Sequence, residues 1–194
     1  MSSTSVTPTL AQRFWPATGA DRQALRAVVL AVGGSLLLWA SAKIQVPFYP
    51  VPMTLQTAAV FLIGIAYGWR LAVATVLLYL VEGALGLPVF AGTPAKGIGL
   101  PYMLGPTGGY LAGFVVAAGI AGWVAERSRH WLATAGGLLA ANAAIYLLGA
   151  GWLATFIGLD QALALGVGPF LLGDAVKLAL VSVAAEAGLK HLRG

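Results

Sequence analysis

The sequence contains no cysteine, only two histidines and few charges: eleven Lys and Arg and six Asp and Glu among 194 residues. Without thiols there is no disulfide, no thiolate nucleophile and no cysteine-ligated metal. With 9% charged and 59% hydrophobic residues, the chain lacks the polar surface that a soluble globule of this length needs, and it suits a bundle facing lipid. A nucleotide-binding Gly-x-x-x-x-Gly-Lys-Ser/Thr run is also missing. The nearest Gly-rich segment, Gly92 to Gly99, has Ile98 and Gly99 where the motif requires the lysine and hydroxyl and follows no strand, so the chain has no evident ATPase of its own. The net charge of +5 is carried by single basic residues at the ends of apolar runs, not by a stripe interleaved with aromatics, which argues against nucleic acid as a partner.

What is present is a series of long apolar runs. About 20 residues at 1.5 Å rise cross a hydrocarbon core of roughly 30 Å, so the pattern predicts an all-α integral membrane protein with six spanning helices. The segments are Ala24 to Ala42, Thr54 to Trp69, Leu71 to Leu85, Gly109 to Ala125, Trp131 to Trp152 and Pro169 to Lys190. The chain then divides into a cytoplasmic tail over 1–23 and a six-helix membrane domain over 24–194. The tail lacks the apolar core and small-residue cleavage site of a removable signal peptide. It reads as disordered, with Phe14 and Trp15 as possible interfacial contacts. Gly68-Trp69-Arg70 joins the second and third segments in a tight hairpin, while Gly86 to Gly108, dense in Gly and Pro, is long enough to be a lid.

Charge placement orients the bundle. With both termini cytoplasmic, the inner side receives Arg13, Arg22, Arg26, Arg70, Arg127, Arg129, Lys190 and Arg193, and the outer side keeps only Lys43 and Lys96. Trp69, Trp123 and Trp131 fall at the inner boundary, Trp39 and Trp152 at the outer one. His130 and His191 lie at the inner margin, away from the outer carboxylates, which separates them from any shared metal or Ser-His site.

The same orientation collects the chemistry in the outer half. Glu82 lies near the outer end of the third segment, Asp160 in the last outer loop, and Asp174 with Lys177 in the outer half of the sixth. Tyr49, Tyr79, Tyr102, Tyr110 and Tyr146 gather there too, leaving Tyr67 near the cytoplasm. Asp174 and Lys177, three positions apart, share one helical face. Ionisable groups at membrane depth are functional candidates by default, because each is costly unless paired or facing water. They are either a ligand-binding carboxylate and ammonium or a structural ion pair. Asn142, mid-span in the fifth segment, serves either a ligand or a neighbouring helix. Glu82 reaches either an outer lysine or headgroup water. Ala27, Ala31 and Ser35 form a small-residue stripe at four-residue spacing, suited to close packing within the bundle or to docking a partner protein.

Four outer segments carry a resemblance. They are Val46-Pro-Phe-Tyr-Pro-Val-Pro-Met-Thr-Leu-Gln56, Gly86-Leu-Pro-Val-Phe-Ala-Gly92, Gly105-Pro-Thr-Gly-Gly-Tyr-Leu-Ala-Gly-Phe114 and Phe170-Leu-Leu-Gly-Asp-Ala-Val-Lys177. In this order, with this length and helix count, the chain resembles the BioY family over about Leu25 to Lys190. These are the biotin-specific substrate-binding subunits of energy-coupling factor transporters. The resemblance implies capture of biotin from outside a bacterial plasma membrane, with the loop between the third and fourth helices covering the site. It also implies partnership with a transmembrane coupling protein and two ATPases, and no cofactor.

Biotin offers ureido N–H donors, a ureido carbonyl, an apolar sulfur ring and a valerate carboxylate, so its binder needs an acceptor, donors and apolar walls. Asp174 is assigned to the ureido N–H groups and Lys177 to the ureido carbonyl or the carboxylate. Tyr110, Tyr49 and Phe90 are expected as walls, Gln56, Thr107 and Asn142 as further polar contacts, and Lys96 as a carboxylate partner on the lid. A subunit for another small vitamin and a small intramembrane enzyme are the alternatives.

Overall fold

The computed structural model describes residues 8–128 and 130–191. The expectations for residues 1–7, Arg129 and Arg193, and for the side chains of Lys190 and His191, lie outside the described residues. The chain is mostly helical: α1 Leu10–Phe14, α2 Ala20–Lys43, α3 Gln56–Tyr67, α4 Trp69–Ala84, α5 Gly99–Met103, α6 Gly108–Arg127, α7 Trp131–Ile157, α8 Leu159–Gly166 and α9 Leu171–His191. A 3-10 turn, Gly168–Phe170, leads into α9, and a short antiparallel hairpin, β1 Gln45–Val46 with β2 Met53–Thr54, bridges α2 and α3. All six expected apolar segments coincide with helices. Four stretches are long and apolar enough to cross a membrane: Ala20–Lys43, Gly108–Arg127, Trp131–Ile157 and Leu159–Gly188, the last interrupted by the 3-10 turn. At 1.5 Å per residue, α3 and α4 extend only about 18 and 24 Å. Exposed side chains such as Leu147, Leu172 and Val183 give the bundle an apolar outside, as a multi-pass membrane protein requires.

Small residues set the helix spacing. In the absence of a hydrophobic drive between helices in lipid, close backbone approach supplies the packing energy. A Cβ on Gly109 would lie 2.3 Å from the Leu148 carbonyl oxygen, and one on Gly113 would lie 2.8 Å from Ile145 Cα, so α6 and α7 run nearly backbone to backbone. Gly68 has φ 78°, a conformation glycine adopts without strain. It is the single residue between α3 and α4, which is why the chain reverses so abruptly there. Gly122 of α6 admits that reversal, since a Cβ there would sit 2.4 Å from the Trp69 amide nitrogen.

Two segments are more ordered than the sequence suggests. The tail carries α1, capped by Thr9 and Gln12 in a reciprocal capping box, and Arg26 donates to the Trp15 carbonyl at 3.0 Å. The disordered reading therefore fails for Thr9 to Trp15, where local capping supplies the order; Phe14 and Trp15 are exposed. Helix α2 also begins at Ala20, inside the expected tail. Asp160 lies in the first turn of a helix, α8, rather than in an open loop.

The segment between α4 and α6 is pinned at several points. Phe90 is fully buried, edge-on to Tyr79 at 5.5 Å and stacked on Tyr102 at 5.0 Å. Gly83 leaves the space, since a Cβ there would meet the Phe90 ring at 2.0 Å. Tyr79 donates to the Val89 carbonyl at 3.0 Å and Tyr102 to the Ala91 carbonyl at 2.7 Å. At the end of α2, Lys43 Nζ reaches the carbonyls of Pro88, Phe90 and Thr93 and the Thr93 hydroxyl, at 2.8, 3.0, 3.3 and 3.1 Å. An ammonium has three donors, so these four acceptors saturate it. Lys43 clamps the lid, while Glu82 accepts from Ser35 of α2 instead of meeting a lysine.

Two outcomes follow from this packing. Gly122→Val should lower thermal stability in detergent by about 1–3 kcal/mol through overpacking, whereas Gly33→Ala, with nothing within 4 Å of its new methyl, should leave it unchanged or raised; equal melting of both proteins refutes the crossing. Lys43→Gln should speed amide exchange across Val89 to Thr93 roughly tenfold, the loss of about 1.4 kcal/mol of charge-assisted bonding, and unchanged exchange refutes the clamp.

Candidate functional site

The end of the bundle that carries Tyr110 and Asp174 encloses a cavity of about 50 Å³. Its polar centre is built on the first two turns of α9. Asp174 and Lys177 project from one face and pair at 2.8 Å, both largely buried. Tyr146 of α7 donates to the second Asp174 oxygen at 2.6 Å. Lys177 also donates to the Thr54 carbonyl at 2.7 Å. The pair is thus held from α7 on one side and β2 on the other.

From Thr54 the hydrogen bonds continue toward the lid. The Thr54 hydroxyl accepts from the Gln56 amide nitrogen at 3.2 Å and lies 3.4 Å from the side-chain oxygen of Gln56. Gln56 Nε2 donates to the Tyr79 hydroxyl at 2.8 Å, which in turn donates to Val89. The ion pair and the lid therefore belong to one chain of polar contacts. The remaining walls are largely apolar, supplied by Val51, Met53, Ala91, Phe114, Ile145 and Phe170.

Tyr110 shows how glycine shapes a wall. Its ring lies where any Cβ on Gly149 would intrude, at 2.3 Å, and its hydroxyl donates to the Gly166 carbonyl at 2.7 Å. With the phenol engaged, the ring is edge-on to Phe170 at 6.3 Å and presents apolar surface to the cavity. Tyr102, on α5, contributes from the lid; burial pushes its phenol above the ordinary value, partly offset by Thr107, so it is a neutral donor.

Of the nine expected site residues, Asp174, Lys177, Gln56, Thr107 and Tyr110 line this cavity. Four do not. Tyr49 is 85% exposed, because it sits on the turn between β1 and β2, which displays its side chain outward. Phe90 is buried beside the cavity between Tyr79 and Tyr102, so it anchors the lid instead of forming a wall. Lys96 is exposed, its stem lying against Gly92. Asn142 is buried one helical turn from Tyr146, its Oδ1 without a partner among the described residues, but it does not reach the cavity lining. In the stripe on α2, Ala27 and Ala31 are half-buried and Ser35 is fully inside, bonded to Glu82. Packing within the bundle accounts for Ser35.

Tyr146 was the principal omission from the expected site. Its signal was its place four residues after Asn142, hence on the same face of α7. The Thr54 carbonyl had no signal, since every residue carries one. His130 is exposed and caps α7 through Nδ1. Among the described residues, no three His, Asp or Glu side chains converge as metal ligands do.

The geometry can be set beside known proteins. The model of the BioY family matches residues 11–194. A probable biotin transporter BioY from Pyrococcus horikoshii is 44% identical over 145 residues, 75% of this chain and 85% of the relative. The biotin transporter BioY of Thermotoga maritima is 37% identical, with 77% and 87% covered, and biotin transporter BioY2 of Lactococcus lactis is 30% identical, with 87% and 92% covered. Among solved structures, the S-component for biotin from an ECF-type ABC transporter superposes with a TM-score of 0.76 at 23% identity, over 90% of this chain and 95% of that one, and so shares its fold. The chain belongs to the BioY family.

Proposed function

We propose that this chain captures biotin from the extracellular or periplasmic face of a bacterial plasma membrane and mediates its uptake as the substrate-binding subunit of an energy-coupling factor transporter. The observation that carries the reading is the buried Asp174–Lys177 pair under a pinned lid, in a family whose curated relatives are named biotin transporters. In this reading all six long helices cross the membrane, the two short ones with help from the segments that cap them, and both termini are cytoplasmic. The basic residues support that orientation, with Arg70 and Arg127 at the end of the bundle opposite the cavity. A transmembrane coupling protein and two ATPases supply the energy. The flank of α2 around Ala27 and Ala31 is the proposed docking face.

Hydrogen-bond capacity supports the assignment. An ionised carboxylate has about four acceptor sites and an ammonium three donors. Asp174 uses one site for Tyr146 and one for Lys177, leaving two for the ureido N–H groups. Lys177 uses two donors, leaving one for the ureido carbonyl or the valerate carboxylate. Tyr110 and Phe170 then face the sulfur ring. A cavity of 50 Å³ is smaller than the roughly 300 Å³ of a small-molecule pocket. Entry therefore requires the lid at Ala91, or the β1–β2 turn at Val51, to withdraw.

The proposal has a graded test. Asp174→Asn and Lys177→Ala proteins that remain folded should lose at least a hundredfold in biotin affinity, about 3 kcal/mol, and Tyr146→Phe about fivefold; wild-type affinity in the first two overturns the site. Competition of labelled biotin by biotin but not by riboflavin or thiamine separates this reading from that of another vitamin. Uptake in cells should depend on co-expression of the coupling module, and undiminished uptake without it removes the dependent-subunit part.

A further inference from the structure

At the end of the bundle opposite the cavity, an apolar groove of about 560 Å³ opens between α6 and α7, walled by Trp69, Val116, Gly119, Trp123, Gly137 and Ala140. Gly122 brings the start of α4 against α6, which sets Trp69 beside Trp123. Each of these two half-exposed indoles carries a guanidinium. Arg127 Cζ lies 4.1 Å from the Trp123 ring centroid, and Arg70 Cζ lies 5.3 Å from that of Trp69. Both arginines are exposed. A guanidinium over an indole still carries five N–H donors, in the fork geometry that matches a phosphate. Glu126, adjacent in sequence, lies against Gly68.

An apolar slot in which two wall indoles, Trp69 and Trp123, each carry an exposed arginine is complementary to an amphiphile with an anionic head. We propose that this groove binds an anionic phospholipid, with one acyl chain between α6 and α7 and the phosphate held by Arg70 and Arg127. Basic pockets between helices on the cytoplasmic side suit such headgroups, because that leaflet carries the anionic lipid. The site is distinct from the cavity at Asp174, and its test does not depend on what that cavity binds.

The test is native mass spectrometry of the full chain in detergent with added phosphatidylglycerol or phosphatidylcholine. Wild type should retain phosphatidylglycerol preferentially. Arg70→Ala/Arg127→Ala, at unchanged melting temperature, should reduce that retention about 30-fold, roughly fivefold per arginine. Ala140→Trp, which fills the groove from an exposed position and leaves both cations, should reduce retention of the lipid as well. Equal retention of both lipids by wild type, or undiminished phosphatidylglycerol on either variant, overturns the proposal. So does displacement of the lipid by millimolar inorganic phosphate, which would mark a simple anion site, or a dimer whose formation Ala140→Trp abolishes, which would put a second copy in the groove.

Discussion

Burying a carboxylate and an ammonium at membrane depth costs several kcal/mol per ion even after relaxation, and their mutual attraction offsets this only when the remaining hydrogen-bonding positions are also supplied. Much of the cavity end of this bundle is arranged around that requirement. Asp174 and Lys177 come within 2.8 Å because they are one turn apart on α9. Their other partners, Tyr146 and the Thr54 carbonyl, belong to α7 and β2. The pair therefore fixes where α9 starts relative to both elements. The pairing of Gln45 with Thr54 and of Val46 with Met53 then holds the segment that presents the Thr54 carbonyl.

The second constraint is steric. Large aromatic side chains occupy the cavity end, yet the helices that carry them stand close, and glycine reconciles the two. Gly149 makes room for Tyr110 and Gly83 for Phe90, while Gly173 lies where a Cβ would meet Met53 Sδ at 2.6 Å. Each removed methyl is filled by a ring or a sulfur from another element. A shape of this kind is exacting, because adding one methyl displaces a group that is part of the site or of its lid.

Hydropathy made the helices legible, since lipid imposes one length scale on every apolar run. The i,i+3 spacing discloses Asp174 and Lys177 as a pair, whereas the i,i+4 relation of Tyr146 to Asn142 is a signal that the sequence reading does not draw on. Periodicity says nothing about a loop, and the displaced expectations cluster there. Tyr49, Phe90 and Lys96 all lie in irregular segments, where the face a side chain takes depends on a turn rather than a repeat. The partners of Lys43 were invisible because they are mostly carbonyls, identical in every residue. The stripe on α2 stayed ambiguous since small residues allow approach without saying by what; the Glu82 carboxylate, forty-seven positions away, is what claims Ser35.

The spare hydrogen-bonding capacity of the ion pair bears on how a site of this type releases what it binds. If ligand entry had to break the Asp174–Lys177 contact, the empty and loaded states would differ by the cost of an unpaired buried charge, of order 3–5 kcal/mol. Because two acceptor positions and one donor remain open while the pair and its supports stay intact, a ligand can be added to the network without dismantling it. The charges are then satisfied in both states. Differences in affinity between open and closed forms must come from the apolar walls and the lid. Those walls include Ala91 and Val51, on the lid and on the β1–β2 turn, so on the proposed reading the element that admits the ligand also completes its contacts. On the proposed reading, loosening the Lys43 clamp would alter that balance without touching Asp174 or Lys177.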